Sequence, residues 1–382
     1  MFQIISQRGK KRIGKIQTKS GEIQSPFFMP DATRGFVKSV SKKDLEQVGI
    51  APMVVNTYHL YLNPGMDLIK KAGGIHEFMN WHQPLLSDSG GFQIFSLIHK
   101  NPELGKITDE MAVFKSPLDG KRHELTPEKS IQIQFDLGVD MMVVLDDVPP
   151  VSYSEEKTRI AVERTVAWAK RCKVEYENQI KKRKIEDAQR PLLFGVIQGG
   201  KNAKLRKYCA EELVKLDFDG YGFGARHVDE KGVFMEDMVR ETAQMIPEDK
   251  LRFALGVGTP EDIVKFVACG WDMFDCVIPT REGRHGRLFI WKNAETSNVE
   301  THCNASLPAG QKFYETININ NEKFKEDFAP VDKNCDCELC QNHTKSYLRH
   351  LFVSKDPLGM RLAAMHNLQF YMQLMEKLRK GD

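Results

Sequence analysis

Carboxylate and amide side chains recur at the polar ends of short apolar stretches. Asp88 follows "PLLS", Asp146 follows "MMVVL", Gln198 follows "LLFGVI" and Asp275 lies inside "MFDCVIP". Taken alone, Asp88 would be interpreted as a helix cap or turn former. Two carboxylates that flank a glycosidic carbon can instead act as nucleophile and acid/base. A further carboxylate and an amide can hydrogen-bond the edge of a base, so the set predicts a site for chemistry on a nucleoside.

A second cluster has the spacing of a metal site. Cys335, Cys337 and Cys340 lie within six residues of one another in "CDCELC". Three thiolates at this spacing favour metal over disulfides, and tetrahedral zinc needs one more ligand. Spacing alone leaves His343, His350 and His366 open as that ligand. Three cysteines and a histidine would leave no open coordination position, so the predicted role of the metal is structural.

The elements that must position these residues alternate along the chain. Apolar stretches bounded by turn residues predict strands at 26–30, 52–58, 84–91, 141–148, 192–200, 220–225, 252–258 and 273–279. Amphipathic segments predict helices at 41–48, 64–72, 127–137, 154–181, 201–216, 236–246 and 260–269. Eight such repeats indicate an α/β fold of the (β/α)8 barrel type, with a doubly wound open sheet as the alternative. The polar strand ends, Asn56 among them, favour the barrel, because barrel active sites are assembled there.

Composition divides the chain further. We expect a catalytic barrel domain at 1–292 with a small polar insertion at 94–126, an exposed insertion at 293–316, and a zinc-binding subdomain with a C-terminal helix at 317–382. The 382 residues are 41% hydrophobic and 28% charged, as in soluble globular proteins. Neither a membrane span nor a secretory signal is evident, and cysteines without a signal indicate a reducing, cytoplasmic location. A net charge of +3 requires any basic binding surface to be local.

Several motifs together resemble one known family. "SDSGGFQ", "FDGYGFG", "WDMFDCVIPTREGRHG" and "CDCELC" followed by "HNLQFY" occur in order. The chain is similar over nearly its whole length to tRNA-guanine transglycosylase, also called queuine tRNA-ribosyltransferase. The resemblance implies a (β/α)8 barrel with a C-terminal zinc subdomain. It also implies exchange of the wobble guanine of certain tRNAs for a free 7-deazaguanine base, one structural Zn²⁺ per chain and a homodimer.

The resemblance assigns roles to individual residues. Asp275 becomes the nucleophile on the ribose anomeric carbon, Asp88 becomes the proton-transfer carboxylate, and Asn56 and Thr57 hold Asp88 in place. The implied base-binding residues are Ser89, Gly90, Gly91, Phe92, Asp146, Gln198, Gly199 and Ala225. The implied RNA-binding residues are Gly256, Val257, Gly258, Thr259, Thr280, Arg281, Glu282, Gly283 and Arg284. The implied metal ligands are Cys335, Cys337, Cys340 and His366.

The chain departs from the family pattern around the incoming base. Val148 stands where members that use 7-aminomethyl-7-deazaguanine have Cys, and Ala225 and Arg226 stand where Gly and Leu are usual. These changes favour queuine slightly over the aminomethyl base. Two other functions compete with the main one: a transglycosylase acting on DNA, and a non-catalytic tRNA-binding partner subunit. The presence of Asp88, Asp146 and Asp275 argues against the second.

Overall fold

An antiparallel sheet of the first residues closes one end of the molecule. The structure, a computed structural model, describes residues 2–292 and 312–380. Strands β1 (Phe2–Arg8), β2 (Lys11–Thr18) and β3 (Gly21–Ser25) pair in sequence order. Their apolar side chains join the cluster of side chains inside the barrel. The sheet therefore covers the end of the barrel at which the strands begin, an element that the sequence analysis did not predict.

Eight parallel strands form the barrel. They are β4 (Phe27–Pro30), β5 (Met53–Asn56), β6 (Leu85–Asp88), β10 (Met141–Val143), β11 (Leu192–Ile197), β12 (Gly220–Phe223), β13 (Leu251–Ala254) and β14 (Met273–Cys276). Their order in the sheet is β4-β14-β13-β12-β11-β10-β6-β5. A parallel bridge between Asp31 and Val54, with Ala32 N donating to Val54 O at 2.7 Å, links the two edge strands. All eight predicted strands are confirmed, and the barrel replaces the open-sheet alternative.

Helices cover the outside of the barrel. They are α1 (Lys42–Val48), α2 (Thr57–Leu60), α3 (Met66–Lys71), α4 (Ile75–Met79), α5 (Gly91–Lys100), α6 (Pro127–Leu137), α7 (Glu155–Arg183), α8 (Ala203–Val214), α9 (Glu236–Met245), α10 (Pro260–Ala268) and α11 (Ile278–Arg284). Four of these helices begin at a capping residue: the side chains of Ser41, Thr126, Ser154 and Thr259 each accept a hydrogen bond from the backbone N of the third residue after them. Among the described residues, no helix is long and apolar enough to cross a membrane.

The segment predicted as a small polar insertion contains part of a helix and a three-stranded sheet. Helix α5 occupies its first residues as far as Lys100, and β7 (Gly105–Ile107), β8 (Ala112–Lys115) and β9 (Arg122–Leu125) then form an antiparallel sheet. Phe114 of this sheet is buried and its ring centroid lies 5.4 Å from that of Tyr58. Aromatic packing therefore joins the insertion to the barrel.

The C-terminal elements pack against the barrel. They are β15 (Arg287–Trp291), β16 (Tyr314–Asn318), α12 (Glu338–Asn342), α13 (Lys345–Val353) and α14 (Pro357–Lys380). Strands β15 and β16 pair with each other, and β16 begins at Tyr314, inside the predicted exposed insertion at 293–316, of which 293–311 lies outside the described residues. Phe313 at its far end is buried against Trp291, with ring centroids 5.7 Å apart. The last residues of that segment are therefore ordered by aromatic contacts.

A layer of polar side chains caps the interior of the barrel. The side chains inside the barrel include Phe27, Met29, Val54, Leu86, Phe194, Val196 and Met273. Because successive strand residues point to opposite faces, the residue two positions after an inward residue also points inward. The polar residues so placed at the strand ends are Asp31, Asn56, Asp88, Gln198 and Asp275, which we call the mouth ring. The ring lies at the end of the barrel where active sites of this fold are found.

Candidate active site

Asp88 is held by four donors, one of which, Gln93 Nε2, donates to Oδ2 at 3.4 Å. Asn56, its cross-strand partner, donates from Nδ2 to Oδ2 at 2.5 Å. The backbone N–H groups of Thr57 and Gly90 donate to Oδ1 at 3.2 and 3.1 Å. Asn56 and Thr57 are the two residues that the resemblance assigned to this task. The carboxyl group therefore has a fixed orientation toward the centre of the mouth ring.

Burial raises the pKa values of Asp88 and Asp275 toward neutral pH. Burial raises the pKa of Asp88 to about 7; the N–H groups of Thr57 and Gly90 oppose the rise, and the charges of Asp275 and Asp31 add to it. Burial likewise raises the pKa of Asp275 to about 6, opposed by the N–H of Gly256, which donates to Oδ1 at 2.8 Å. Carboxyl groups with perturbed pKa values that lie together at one end of a barrel are typical of catalytic sites. At neutral pH one group can be ionised while the other retains its proton.

Asp146 and Gln198 form a buried pair beside them. Gln198 donates from Nε2 to Asp146 Oδ2 at 2.7 Å, and the exposed fractions of the two residues are 1% and 6%. Burial raises the pKa of Asp146 to about 7, against the effect of the Gln198 hydrogen bond. Gln198 Oε1 is buried and has no hydrogen-bond partner among the described residues. Because buried polar atoms are nearly always paired, this oxygen points to a ligand with a donor group.

A glycine turn places an aromatic face beside the carboxyl groups. Gly90 has φ 79°, and a Cβ there would come within 2.9 Å of the backbone N of Tyr58. The following Gly91 and Phe92 begin α5, and the side chain of Phe92 is 61% exposed. Ser89 before the turn is buried, and its Oγ accepts from Gly91 N at 3.3 Å. An exposed ring on a fixed turn offers a stacking surface for a planar ligand.

The segment that follows β12 has an unusual backbone. Ala225 has φ 105°, a left-handed conformation that costs free energy for any residue with a Cβ. Arg226 next to it is exposed, whereas His227 places Nε2 3.1 Å from Asp262 Oδ2 and packs its ring on Phe266. Arg226 therefore remains available to a ligand, and His227 is already engaged by other residues.

Gly199, which was also expected to bind the nucleobase, occupies a position where a side chain would not fit. Its φ is 141°, and a Cβ would lie 2.6 Å from the backbone N of Arg206 on α8. The glycine lets the strand end approach the helix directly behind Gln198. Its contribution is to position that amide.

Two arginines lie on the helix that follows the strand of Asp275. Helix α11 presents Arg281, which is exposed, and Arg284, which is half-buried. Burial lowers the pKa of Arg284, and Nη1 has no hydrogen-bond partner among the residues described. Gly283 allows close packing, since a Cβ there would lie 2.7 Å from Ala364 N of α14. Thr280 is buried and Glu282 lies 3.7 Å from Arg281 Nε, so the arginines are the cations that α11 offers to an anion.

The segment 256–259 supports Asp275 from the neighbouring strand. Val257 is buried, and a Cβ on Gly258 would meet Cys276 Sγ at 1.8 Å. Gly258 O accepts from Tyr371 Oη at 2.5 Å, and Thr259 caps α10. Gly256 alone among these residues binds the carboxylate. The RNA contacts expected of this segment stay a prediction.

The cysteine cluster assembles with His366. The ligand atoms of Cys335, Cys337, Cys340 and His366 all lie within 4.8 Å of one another. Distances from His366 Nδ1 to the three sulfurs are 3.7, 3.5 and 3.4 Å. A tetrahedral zinc ion with ordinary bond lengths places such atoms ~3.6 Å apart. Spacing had left three histidines open, and the fold selects His366.

The surroundings of His366 also suit a metal. Its Nε2 lies 2.8 Å from Phe289 O, so this nitrogen carries the proton and Nδ1 presents a lone pair to the cysteines. All four side chains are buried, and no fifth protein ligand joins the group among the described residues. The site can hold one metal ion, in a closed set of ligands typical of structural zinc.

Asp31 is a mouth-ring residue that the sequence analysis missed. It directly follows the apolar stretch "PFFMP", as Asp88 follows "PLLS" and Gln198 follows "LLFGVI". That position was the available signal. Its charge acts on Asp88, Asp275 and Arg284.

Comparison with known proteins identifies the family. The family model described as queuine tRNA-ribosyltransferase matches residues 7–381. The queuine tRNA-ribosyltransferase of Halothermothrix orenii is 42% identical over 97% of this chain and 90% of its own length. That of Thermodesulfovibrio yellowstonii is 42% identical over 100% and 90%, and that of Staphylococcus aureus is 41% identical over 97% and 88%. The chain therefore belongs to the queuine tRNA-ribosyltransferase family and is a tRNA-guanine transglycosylase.

Proposed function

We propose that the enzyme exchanges the wobble guanine of tRNA for a 7-deazaguanine through a covalent ribosyl–aspartate intermediate. The observation that carries the proposal is the pair of mouth-ring carboxyl groups, Asp88 and Asp275, with pKa values raised to about 7 and about 6. Near neutrality such a pair supplies one ionised nucleophile and one proton carrier. Asp275 is the nucleophile because, within residues 2–292 and 312–380, its carboxylate accepts a hydrogen bond from Gly256 N alone, at Oδ1, which leaves Oδ2 free.

The exchange takes two displacements at one carbon. An oxygen of Asp275 attacks C1′ of the ribose, the bond to guanine breaks, and its electron pair leaves with the base. Asp88 supplies the proton that the departing guanine requires. The incoming base then gives a proton to Asp88, its nitrogen attacks C1′, and the ester to Asp275 breaks. The phosphodiester chain stays intact, and one glycosidic bond replaces another.

The buried pair and the exposed ring supply recognition of the base. We propose that Asp146 and Gln198 bind the polar edge of guanine and of its replacement, and that Phe92 stacks on the ring. Such a pocket requires the target nucleotide to leave the base stack. The unpartnered Gln198 Oε1 supports this role, because an amino or ring N–H of the base would satisfy it. Arg281 and Arg284 grip the adjacent phosphates.

The incoming base is proposed to be queuine rather than 7-aminomethyl-7-deazaguanine. Val148 is half-buried and gives the pocket an apolar wall. Arg226 is exposed, and its guanidinium can donate to the cyclopentenediol of queuine. Competition of the two bases for one tRNA tests this, and a strong preference for the aminomethyl base would contradict it.

We also propose one structural zinc per chain, a homodimer and a cytoplasmic location. The cysteines and His366 support zinc by donor type and distance. An exposed apolar patch on the C-terminal elements, made of Phe328, Tyr347 and Val353, supports self-association. Metal analysis tests the zinc site and sedimentation velocity tests the homodimer, which a monomer at micromolar concentration would contradict.

The deciding experiment is exchange of labelled guanine into purified tRNA, with a DNA hairpin of the same sequence as the control. We expect incorporation into tRNA and none into DNA. Asp275→Asn should abolish exchange and the covalent tRNA–protein band on a denaturing gel, because an amide is no nucleophile. Asp88→Asn should lower exchange severely. Full exchange by the Asp275 variant would refute the mechanism, and exchange into DNA alone would reassign the substrate.

A further inference from the structure

Asp31 lies next to Asp275 in the mouth ring. Strand β4 pairs with β14 in a register that sets Met29 opposite Asp275, and Asp31 follows Met29 by two residues. Met29 points into the barrel, so Asp31 also points inward, at the level directly above Met29. The bridge to Val54 of β5 fixes Asp31 from its other side. The carboxylate therefore stands between the strand of Asp275 and the strand of Asn56.

One oxygen of this carboxylate is used by the protein and the other is available. Oδ1 accepts from the backbone N of Thr33 at 3.1 Å and from the Thr33 hydroxyl. Oδ2 accepts no hydrogen bond from any residue within 2–292 and 312–380. Neither Arg34 nor Arg284 forms an ion pair with it, although Arg284 lies close enough for its pKa to respond to the Asp31 charge. The turn at Thr33 accounts for the hydrogen bonds to Oδ1, but it gives Oδ2 no partner.

The charge of Asp31 is unfavourable in the free site. It adds to the rise in the pKa of Asp88 and of Asp275, so it opposes ionisation of both carboxyl groups. A partner that donates to Oδ2 would offset that repulsion. Gln198 Oε1 in the same ring is also buried, has no hydrogen-bond partner among the described residues, and could accept a hydrogen bond from the substrate.

We propose that Asp31 Oδ2 accepts a hydrogen bond from a ribose 2′-hydroxyl of the substrate beside Asp275, and thereby selects RNA over DNA. The proposal rests on the proposed function, in which Asp275 attacks C1′. The 2′-hydroxyl is on the carbon next to C1′, so the sugar brings it to the strand adjacent to Asp275. A 2′-hydroxyl is the donor that distinguishes RNA from DNA at a given position.

The test removes the hydroxyl and its acceptor separately and together. Three anticodon stem-loops are compared: all-ribo, 2′-deoxy at the target guanosine, and 2′-deoxy at the preceding nucleotide. The wild-type enzyme should lose roughly 10- to 150-fold in kcat/KM on one of the deoxy substrates, as expected for a hydrogen bond to a charged group. Asp31→Ala should be equally slow on the ribo and that deoxy substrate. The substrate that shows the loss identifies the sugar.

Two further variants keep the result interpretable. Asp31→Asn is isosteric and keeps the Thr33 contact, but it replaces the charged acceptor Oδ2 by a neutral NH2, which can only donate to the hydroxyl oxygen; it should reduce the discrimination while folding as the wild type does. Asp67→Ala removes an exposed carboxylate at the start of α3 and should leave the ribo-to-deoxy ratio unchanged. The proposal is overturned if the wild type does not discriminate, or if both Asp31 variants keep the wild-type ratio.

Failure of the proposed function gives a different result. A wild-type enzyme that exchanges guanine into no tRNA would refute that function. The ratio of Kd values for the ribo and deoxy stem-loops, measured on wild type and Asp31→Asn, then decides the role of Asp31 independently of exchange.

Discussion

Replacing Asp146 by asparagine separates the cost of its charge from the value of its hydrogen bonds. Burial raises the pKa of Asp146 from an ordinary 3.8 to about 7. Between those pH values the folded state binds a proton that the unfolded state has released, so the free energy of unfolding of the wild type falls as pH rises. About three pH units at about 1.36 kcal/mol each correspond to about 4 kcal/mol at pH 8.

The asparagine variant should escape this penalty. Asparagine has the same size, and its Oδ1 can accept the Gln198 donation that Asp146 accepts at 2.7 Å. Urea unfolding followed by circular dichroism should show the variant close to wild type at pH 4.5. At pH 8 the variant should be more stable by up to about 4 kcal/mol. A difference that is equal at both pH values, or that favours wild type at pH 8, would refute the reasoning.

Asp140 offers a matched control with the opposite sign. It is also buried, and burial raises its pKa, but the His76 imidazole, with Nε2 3.1 Å from Oδ2, and hydrogen bonds from Leu85 N and Ser20 N outweigh burial and lower it. A group with a lowered pKa stabilises the folded state at any pH above its unfolded-state pKa, which is about 4 for Asp. This stabilisation is lost only as the pH falls through the lowered pKa of the folded state. Asp140→Asn should therefore be less stable than wild type at pH 8, where Asp146→Asn is more stable.

Three further outcomes are expected. Ala225→Gly should raise the free energy of unfolding by about 1 kcal/mol in thermal unfolding, because glycine adopts φ 105° without strain; a lower Tm would contradict this. Removing the metal with a chelator should expose α12 and α13 to protease while the barrel keeps its circular dichroism, and unchanged cleavage would exclude a structural metal. Arg284→Ala should reduce the slope of log Kd for tRNA against log salt by about 0.7 to 0.9 without changing affinity for the free base, whereas an unchanged slope would assign this arginine another role.

The barrel could be predicted because its signals are local. Helix α6 begins and ends where the sequence predicts, at 127–137, since Thr126 caps it and Gly138 ends it with φ 73°. The N-terminal sheet was missed because β1 and β2 alternate apolar and polar residues and carry no uninterrupted apolar stretch. Uninterrupted apolar stretches indicate the buried parallel strands of βα units, so half-buried antiparallel strands such as these were not recognised by that criterion.

The site could be predicted in part. Asp88, Asp146, Gln198 and Asp275 were identified because each interrupts or ends an apolar stretch. Features that depend on distant segments could not be predicted from the sequence. Gln198, for example, donates from its amide N–H to Asp146, 52 residues away, and its Oε1 has no partner among the described residues. The choice of His366 over His343 likewise depends on how α14 returns to the cysteines. His343 instead stacks on Tyr347, with ring centroids 4.9 Å apart.

His366 and Asn367 are consecutive residues of α14 with different partners. His366 faces the three thiols, while Asn367 donates from Nδ2 to Pro279 O and Arg287 O, both at 2.9 Å. One turn of helix therefore holds both the metal site and the two ends of the segment that carries Arg281 and Arg284. We expect a cell deprived of the metal, or exposed to thiol oxidants, to lose the tRNA modification made by this enzyme while the barrel remains folded. The modification state of tRNA would then report on metal supply and redox stress.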